Sequence, residues 1–539
     1  MLKGKPFLYI LFITLALLSC AKRGSITGGL KDTIPPVIVG SSPKNMSTNF
    51  NGNKIHIDFN EYIKIKDANK QLIISPPLDY PPNIVPSGSA SRFIDITIKD
   101  TLKPNTTYSF NFGQSITDNN EGNPYSQFKF VFSTGAYIDS LAMSGSIKDA
   151  HEIGVDNFVT VMLYEANETF NDSTIYKTKP RYVTNTLDSM VNFSLQNLKE
   201  GKYHLFALKD ANNNYMYNPK VDKIAFLNRP ITVPNDSTYE LNLFKEKGVY
   251  RALKPTLATA NRLYVPYEGK DPRGITATVN NGSGSETYKT LVTNVPGKDS
   301  VQIWLPRAIK ADSLQVTMAK NDSLKKFMVK YKELKESDSL SVEAVQKGGL
   351  HFRETFTLKP STPLTDIDKS LMFLVDKDSV GVPFTHKYDD FNQSLELDFV
   401  KEENQKYTFT LLPGALTDFY GQANDTLSYK LNTRSYDVYG NMVVKIQNVK
   451  RFPVIVELTD AKGKLYTSAY SEGETDIEFA NIEPNNYLLR IIYDDNKNRE
   501  WDTGDYRTQR QPEEVIYFPK EIPVLEQWDV EETFPVTKG

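Results

Sequence analysis

Hydrophobic residues recur at every second position through much of this 539-residue chain. Ile55, Ile57 and Phe59 alternate with polar residues, and the same pattern returns at Ile94 to Ile98 and at Leu395 to Phe399. A period of two places successive side chains on opposite faces of a strand, so that one face is buried and the other meets water. Long stretches with the 3.6-residue period of a helix are nearly absent. The chain is therefore predicted to fold as antiparallel β-sandwiches.

The composition supports this prediction and excludes one class of partner. The chain contains 30 Tyr and 29 Phe, and aromatic residues favour the pleated, half-buried surfaces of strands. Its formal net charge of −3 argues against nucleic acid as a partner. One segment, 322–335, is rich in Lys, Leu and Glu, and we predict a strand followed by a charged connector there. The length favours about three to five domains.

The N-terminus predicts export and lipid anchoring. Lys3 and Lys5 precede an apolar run from Phe7 to Leu18, which is shorter than the roughly 20 residues that span a bilayer. The tetrapeptide that ends at Cys20, Leu-Leu-Ser-Cys, resembles a bacterial lipobox. This resemblance implies removal of residues 1–19 and attachment of lipid, palmitate included, to Cys20. Because Cys20 is the only cysteine, the mature chain is expected to lack disulfides.

The chain also contains an apparent internal repeat. The pattern from Tyr108 to Thr134 returns about 300 residues later, from Tyr407 to Thr433. A second pattern, which ends in an Asp-x-Asn-x-Asn loop, occurs at Asp210 and again at Asp494. The order is the same both times, so an A–B pair of modules is predicted to occur twice, with a β-rich insert between the copies.

Both patterns resemble known families. The first A copy resembles the bacterial Ig-like (type 5) domains of Bacteroidota outer-membrane lipoproteins, through Ile34-Pro35-Pro36, Ser42-Pro43 and the strand from Ile55 to Tyr62. The B copies resemble transthyretin-type or carboxypeptidase-regulatory-like sandwiches, through Gly201-Lys202-Tyr203 and the Asn-rich loop. The resemblance implies an all-β, multi-domain and elongated protein of tandem Ig-like and transthyretin-like β-sandwiches. The predicted segments are a signal peptide at 1–19, a tether at 20–33, Ig-like domains at 34–140 and 349–434, transthyretin-like sandwiches at 141–246 and 437–535, and the insert at 247–345.

The two Asn-rich loops are candidate calcium sites. Oxygen-bearing side chains at alternate positions can supply several of the six to eight ligands that Ca²⁺ needs. The candidates are Asp494, Asn496, Asn498, Asp502 and Asp505 in the second loop, and Asp210, Asn212 and Asn214 in the first, with Asn218 and Asp222 beside them. Tyr215 and Arg499 occupy the sixth position, where an EF-hand has Gly. The alternative is a turn capped by its own side chains, without a metal ion.

Other candidate residues are few. Trp304, Trp501 and Trp528 are candidate binding aromatics, and Trp304 is out of phase with the apolar residues around it, which predicts an outward-facing ring.

Ser323 and Lys326 form an isolated Ser-x-x-Lys in a polar context. The sequence lacks a Gly-x-Ser-x-Gly motif, a phosphate-binding loop and a dinucleotide fingerprint. We therefore expect that the chain is not an enzyme and carries no cofactor other than the possible calcium.

These observations predict a non-enzymatic outer-membrane lipoprotein that holds a protein partner from the cell envelope. By analogy, an accessory subunit of an outer-membrane assembly or transport complex is the most specific expectation. Glycan binding at the surface is the alternative, and a cell-envelope hydrolase is a third hypothesis. The residues after Cys20 are Ala21-Lys22-Arg23, without the acidic run that surface-exported lipoproteins of this group tend to carry. This departure weakens the hypothesis of a surface location, and both the periplasmic and the extracellular face stay as alternatives.

Overall fold

The computed structural model of the chain consists almost wholly of β-strands. It describes residues 32–536 apart from 187–189, 270–271, 308, 322, 333 and 335–337. Cys20 and most of the predicted tether lie outside the described residues. The helical segments of the described part are α1 (Ala68–Gln71), α2 (Thr174–Lys177) and two 3-10 turns at Lys369–Leu371 and Tyr436–Val438. The predicted all-β, multi-domain class is confirmed.

None of the helices just given has the length and apolar character that a membrane-spanning segment needs. The Cα packing divides the chain into two compact units. The first contains the described residues up to Ala142, together with Arg181–Thr184 and Leu195–Lys199, and the second contains the rest.

The first module lies in the first unit. Its strands are β1 (Ile38–Ser42), β2 (Lys54–Ile65), β3 (Ile73–Ser75), β4 (Asn83–Val85), β5 (Ser91–Thr97), β6 (Thr107–Asn111), β7 (Ile116–Asp118) and β8 (Lys129–Ser133). One sheet has the order β1-β2-β5-β4, with β7 also pairing with β2, and the other has the order β3-β6-β8. The alternating residues on β2 and β5, among them Ile57 and Ile94, are buried between the sheets, as the period of two predicts.

The second module follows in the chain. Its strands are β9 (Leu141–Asp149), β10 (Thr160–Glu165), β11 (Tyr182–Asn185), β12 (Asn192–Leu198), β13 (Gly201–Lys209), β14 (Lys223–Phe226), β15 (Ile231–Val233) and β16 (Thr238–Leu243). Within the second unit, β13 pairs with β10, β14 and β15 in antiparallel fashion. β16 pairs with β9 in parallel.

The third module is the predicted β-rich insert. Its strands are β17 (Arg251–Ala252), β18 (Thr256–Thr259), β19 (Arg262–Glu268), β20 (Thr276–Asn281), β21 (Thr287–Tyr288), β22 (Leu291–Asn294), β23 (Ser300–Trp304), β24 (Ser313–Lys320) and β25 (Ser323–Lys330). The sheets have the orders β17-β19-β23-β22, with β18 on β19, and β21-β20-β24-β25. β25 confirms the strand predicted in the Lys-rich segment.

The fourth module contains three small sheets. Its strands are β26 (Val342–Ala344), β27 (Phe356–Pro360), β28 (Leu364–Ile367), β29 (Met372–Val375), β30 (Thr385–Asp389), β31 (Ser394–Asp398), β32 (Lys406–Leu411), β33 (Leu416–Asp418) and β34 (Leu427–Asn432). Their orders are β26-β27-β31-β30, β28-β33 and β29-β32-β34. Leu395, Leu397 and Phe399, which alternate in the sequence, are buried in this module.

The fifth module ends the described chain. Its strands are β35 (Gly440–Gln447), β36 (Val454–Thr459), β37 (Leu465–Ser471), β38 (Asp476–Ile482), β39 (Asn485–Tyr493), β40 (Val515–Tyr517), β41 (Ile522–Val524) and β42 (Asp529–Pro535). One sheet has the order β38-β35-β42, and the other has the order β37-β36-β39-β40, with β41 on β39.

The strand pairings repeat within the chain. β42 pairs in parallel with β35, as β16 does with β9. β39 pairs with β36, β40 and β41, as β13 does with β10, β14 and β15. The A copies share side-chain contacts as well, because the hydroxyl of Tyr108 accepts the N–H of Lys103 and that of Tyr407 accepts the N–H of Glu402. The repeat that the sequence predicts is thus present in the topology.

Candidate functional site

The two Asn-rich loops have similar hydrogen bonds around their first aspartate. In the first loop, the carboxylate of Asp210 accepts the N–H of Asn212 and, at 2.7 Å, that of Tyr215. Burial raises the pKa of Asp210. In the second loop, the fully buried Asp494 accepts the N–H of Arg499 at 2.8 Å. Tyr215 and Arg499 both adopt positive φ, which brings their N–H groups back to the aspartate without the Gly of an EF-hand.

The remaining candidate ligands of the second loop lie around Asp502. The side-chain amides of Asn496 and Asn498 donate to one oxygen of Asp502, at 2.5 and 2.6 Å. Asp505 instead accepts the N–H of Thr508 at 3.0 Å, in the following turn. In the described part of the chain, His, Cys, Asp and Glu side chains form no group of three or more that could hold a metal ion. Calcium in these loops stays a prediction.

Glu513, which no sequence motif indicated, holds the second Asn-rich loop in place through hydrogen bonds. Its carboxylate accepts the N–H groups of Asp495 and Asp502, each at 2.8 Å. Only 6% of Glu513 is exposed, and this burial raises its pKa. A buried carboxylate that bonds both ends of a loop fixes its path. The backbone N–H of Glu513 also donates to the carbonyl of Asp502 at 3.0 Å, which joins the two ends of the segment from Trp501 to Pro512.

This segment packs on the second module. Tyr506, at the tip of the loop, is 2% exposed. Its ring lies 5.2 Å from the ring of Phe226, 5.6 Å from that of Phe206 and 6.2 Å from that of Tyr176. A Cβ at Gly504 would lie 2.5 Å from the ring of Phe244, so the loop reaches this distance only with glycine there. Modules two and five therefore share an aromatic core, although roughly 280 residues separate Phe226 from Tyr506.

Polar contacts surround this aromatic core. The hydroxyl of Thr503 donates to the carbonyl of Lys245 at 2.7 Å. The carboxylate of Glu246 accepts the N–H of Tyr506 at 2.5 Å and the hydroxyl of Tyr217 at 2.7 Å. Because both oxygens of Glu246 are engaged, the buried polar groups at this contact are satisfied, which fixes the register of the loop against the second module.

A second contact joins the same two modules at His151. The carbonyl of His151 accepts the hydroxyl of Tyr517 at 2.8 Å and the guanidinium of Arg490 at 3.3 Å. Its ring lies 4.4 Å from that of Trp501, whose indole N–H donates to the carbonyl of Glu513. Trp501 and His151 therefore contact each other inside the chain.

An open groove of about 1130 Å³ lies between the second and fifth modules, beside these contacts. Its lining includes the side chains of Ile147, Ile153, Val191, Ile516 and Phe534. Ile153 and Val191 are 51% and 43% exposed. β40, the outermost strand of its sheet, contributes all three of its residues to the lining. The groove therefore offers apolar surface next to a strand edge.

Three ion pairs lie among the residues that line the groove. They join Lys148 to Glu240 at 2.7 Å, Lys450 to Glu514 at 2.9 Å and Lys520 to Glu532 at 3.1 Å. Pairs this exposed contribute only about 0–1 kcal/mol each to folding. Each pair neutralises the charge of a lysine in the groove lining, so these charged groups of the lining are paired with each other.

The structure corrects one prediction about tryptophan. Trp304 is fully buried rather than outward-facing. Its indole N–H donates to Thr293 at 2.8 Å, and Arg262 lies over the ring. The outer face of β23 is covered because Gln393 of the fourth module bonds Thr293 and Gln302. Trp528, in contrast, is 49% exposed.

The serine and the lysine of the isolated Ser-x-x-Lys motif point to opposite faces of one strand. Ser323 and Lys326 both lie on β25, three residues apart. Side chains an odd number of positions apart point to opposite faces of a strand. The lysine therefore cannot act as base for this serine, and the pair carries no catalytic chemistry.

Comparison with known proteins supports the fold of the first module. Residues 32–134 match the family model described as "Bacterial Ig-like domain". No curated protein matches the chain.

Several solved structures resemble parts of the chain at low identity. The S-layer protein rSbsC(31-844) is 12% identical, over 92% of this chain and 68% of that one, with a TM-score of 0.15. Titin domains I67-I69 are 11% identical, over 57% of this chain and 100% of that one, with a TM-score of 0.14. The extracellular domains 3-5 of Drosophila OTK are 10% identical, over 55% and 97%, with a TM-score of 0.14. Such scores carry no argument about function. The chain is a multi-domain β-sandwich protein whose first module matches a bacterial Ig-like domain.

Proposed function

We propose that the protein is a non-enzymatic, lipid-anchored scaffold of the outer membrane that binds a protein partner in the groove between its second and fifth modules. An accessory role in an outer-membrane assembly or transport complex is the specific form of this proposal. The sequence supports the anchor through the lipobox resemblance at Cys20. The Ig-like first module supports a binding role, because such sandwiches commonly present loops and edges to partners.

The groove is the observation that carries the proposal. Protein interfaces combine an apolar centre with a polar border. Here Ile153 and Val191 supply exposed apolar side chains to the lining, and the lysine–glutamate ion pairs supply polar groups to it. Large apolar side chains left at the surface beside a strand edge are typical of contact sites.

The direct test is recovery of the partner with a variant of the groove. The full chain, tagged and purified from membranes, is compared with Ile153→Glu, which places a charge in the apolar lining. We expect the partner to be recovered with the wild type and lost with the variant. Val400→Glu is the matched control, because Val400 is 82% exposed and lies outside the groove. A wild-type chain recovered alone, or a partner retained by Ile153→Glu, would contradict the proposal.

Glycan binding, the alternative function, rests on exposed aromatic rings. Trp304 is buried, and Trp501 is engaged by His151. Trp528 is thus the remaining tryptophan with half its surface exposed. A glycan-array signal that Trp528→Ala removes would replace the groove proposal with this one.

A further inference from the structure

Among the described residues, β25 is an eight-residue strand with no strand paired along its outer edge. It is the outermost strand of the sheet β21-β20-β24-β25 and pairs with β24 from Ser323, opposite Lys320, to Lys330. The residues that flank a two-residue hairpin loop form a hydrogen-bonded pair, and such pairs alternate along an antiparallel ladder. The backbone N–H and C=O groups of the even-numbered residues, 324 to 330, therefore point away from β24. A row of such groups is a template for an added strand.

The even-numbered side chains of β25 form a regular pattern on one face. They are Leu324, Lys326, Met328 and Lys330, so apolar and cationic groups alternate along the open edge. The other face packs inward, since Phe327 and Val329 belong to the core of the third module. The outer face is well exposed, with 60% of Leu324 and 52% of Met328 accessible.

The two outer lysines have no acidic partner in the part of the chain that the structure describes. Lysine on an edge strand also protects a sheet from aggregation. Protection alone does not account for a leucine and a methionine on the same open edge, because exposed apolar side chains favour association. Alternating apolar and charged side chains are instead suitable cross-strand partners for a strand that is added at this edge.

We propose that β25 accepts an extended acidic segment of a partner protein as an additional strand. Cross-strand neighbours on one face lie directly opposite each other. The added segment therefore carries apolar and acidic side chains alternately at every second position. The apolar ones face Leu324 and Met328, and the carboxylates face Lys326 and Lys330. This contact lies outside the groove lining and does not depend on it.

Two synthetic peptides test the proposal with the full chain. The first has Leu and Glu alternating at every second position with Thr between them, and the second has Lys in place of Glu. By fluorescence anisotropy, we expect the acidic peptide to bind and the basic one not to bind. The affinity should fall as salt is added, because ion pairs at an exposed edge are screened.

Three variants test the assignment to β25. K326E/K330E should weaken the acidic peptide by about tenfold and bind the basic one, because two attractive cross-strand pairs become repulsive. K347E/K462E changes the net charge equally in exposed loops and should bind like the wild type. Met328→Pro removes an outward N–H without removing a bond to β24, and should abolish binding.

Several outcomes would overturn the proposal. Equal binding of both peptides, no binding of either, or binding that survives Met328→Pro would each do so. Self-association of the wild type without peptide, lost in K326E/K330E, would assign the edge to a second copy of the chain instead. Circular dichroism of each variant establishes that it is folded before binding is compared.

Discussion

Tyr506 is the side chain that most clearly joins the second and fifth modules. It lies in a polar, Asn-rich loop but is 2% exposed among Phe206, Phe226 and Tyr176. Replacing a buried aromatic side chain by alanine costs about 3–5 kcal/mol, so Tyr506→Ala should destabilise the joined modules by that amount. Denaturant unfolding measures it, with Tyr137→Ala, 63% exposed in the first unit, as the control. Equal unfolding of the two variants would contradict the contact.

His56 is held by two carboxylates on the outer face of the first module. Its Nδ1 lies 2.5 Å from Asp95 and its Nε2 lies 3.0 Å from Asp58. The hydrogen bond to Asp95 is the largest cause, and it raises the pKa of His56 above the ordinary value of 6.5. A raised folded-state pKa means that the stabilisation is fully present below about pH 6.5 and is lost as the pH rises through the folded-state pKa.

Nuclear magnetic resonance of the imidazole groups measures this directly. We expect the His56 signal, assigned by its absence in His56→Gln, to titrate above pH 6.5. The small gain in stability at acidic pH should disappear in the same variant. A midpoint at or below the ordinary value would show that the two carboxylates do not hold the ring in solution.

The calcium site predicted in the second Asn-rich loop can be tested by thermal unfolding. If Ca²⁺ binds there as the spacing predicts, calcium should raise the melting temperature of the full chain above its value in EDTA. Asp502→Asn should remove the difference, because Asp502 lies beside Asn496 and Asn498. Identical melting in calcium and in EDTA would reject the calcium site and leave the loop as a hydrogen-bonded turn.

Strands and their buried faces follow from the sequence because the period of two is local. The pattern at Ile55, Ile57 and Phe59 predicted both β2 and its inward face. Trp304 shows the limit of such reasoning. Its strand was predicted, but its exposure depends on Gln393, about 90 residues later, which covers the outer face of β23. The period-two pattern of one strand carries no information about which of its side chains a neighbouring module covers.

The same limit applies to the whole molecule. The internal repeat predicted that the second and fifth modules share a topology, and the strand pairings agree. It gave no sign that they pack together, since the contacts at Tyr506 and His151 join residues more than 250 positions apart. One local feature did point to this packing, namely that Tyr506 is a single tyrosine in a polar loop. The groove exists only because of this packing, so sequence alone could not locate it.

Hydrogen exchange of the full chain, alone and with its recovered partner, tests the groove most directly. The account predicts slower exchange in the partner complex at residues 147–153 and 514–518, which line the groove from its two sides. Ile153→Glu should remove that protection, whereas Val400→Glu should retain it. Protection confined to other surfaces, with unchanged exchange in both groove segments, would contradict the central claim.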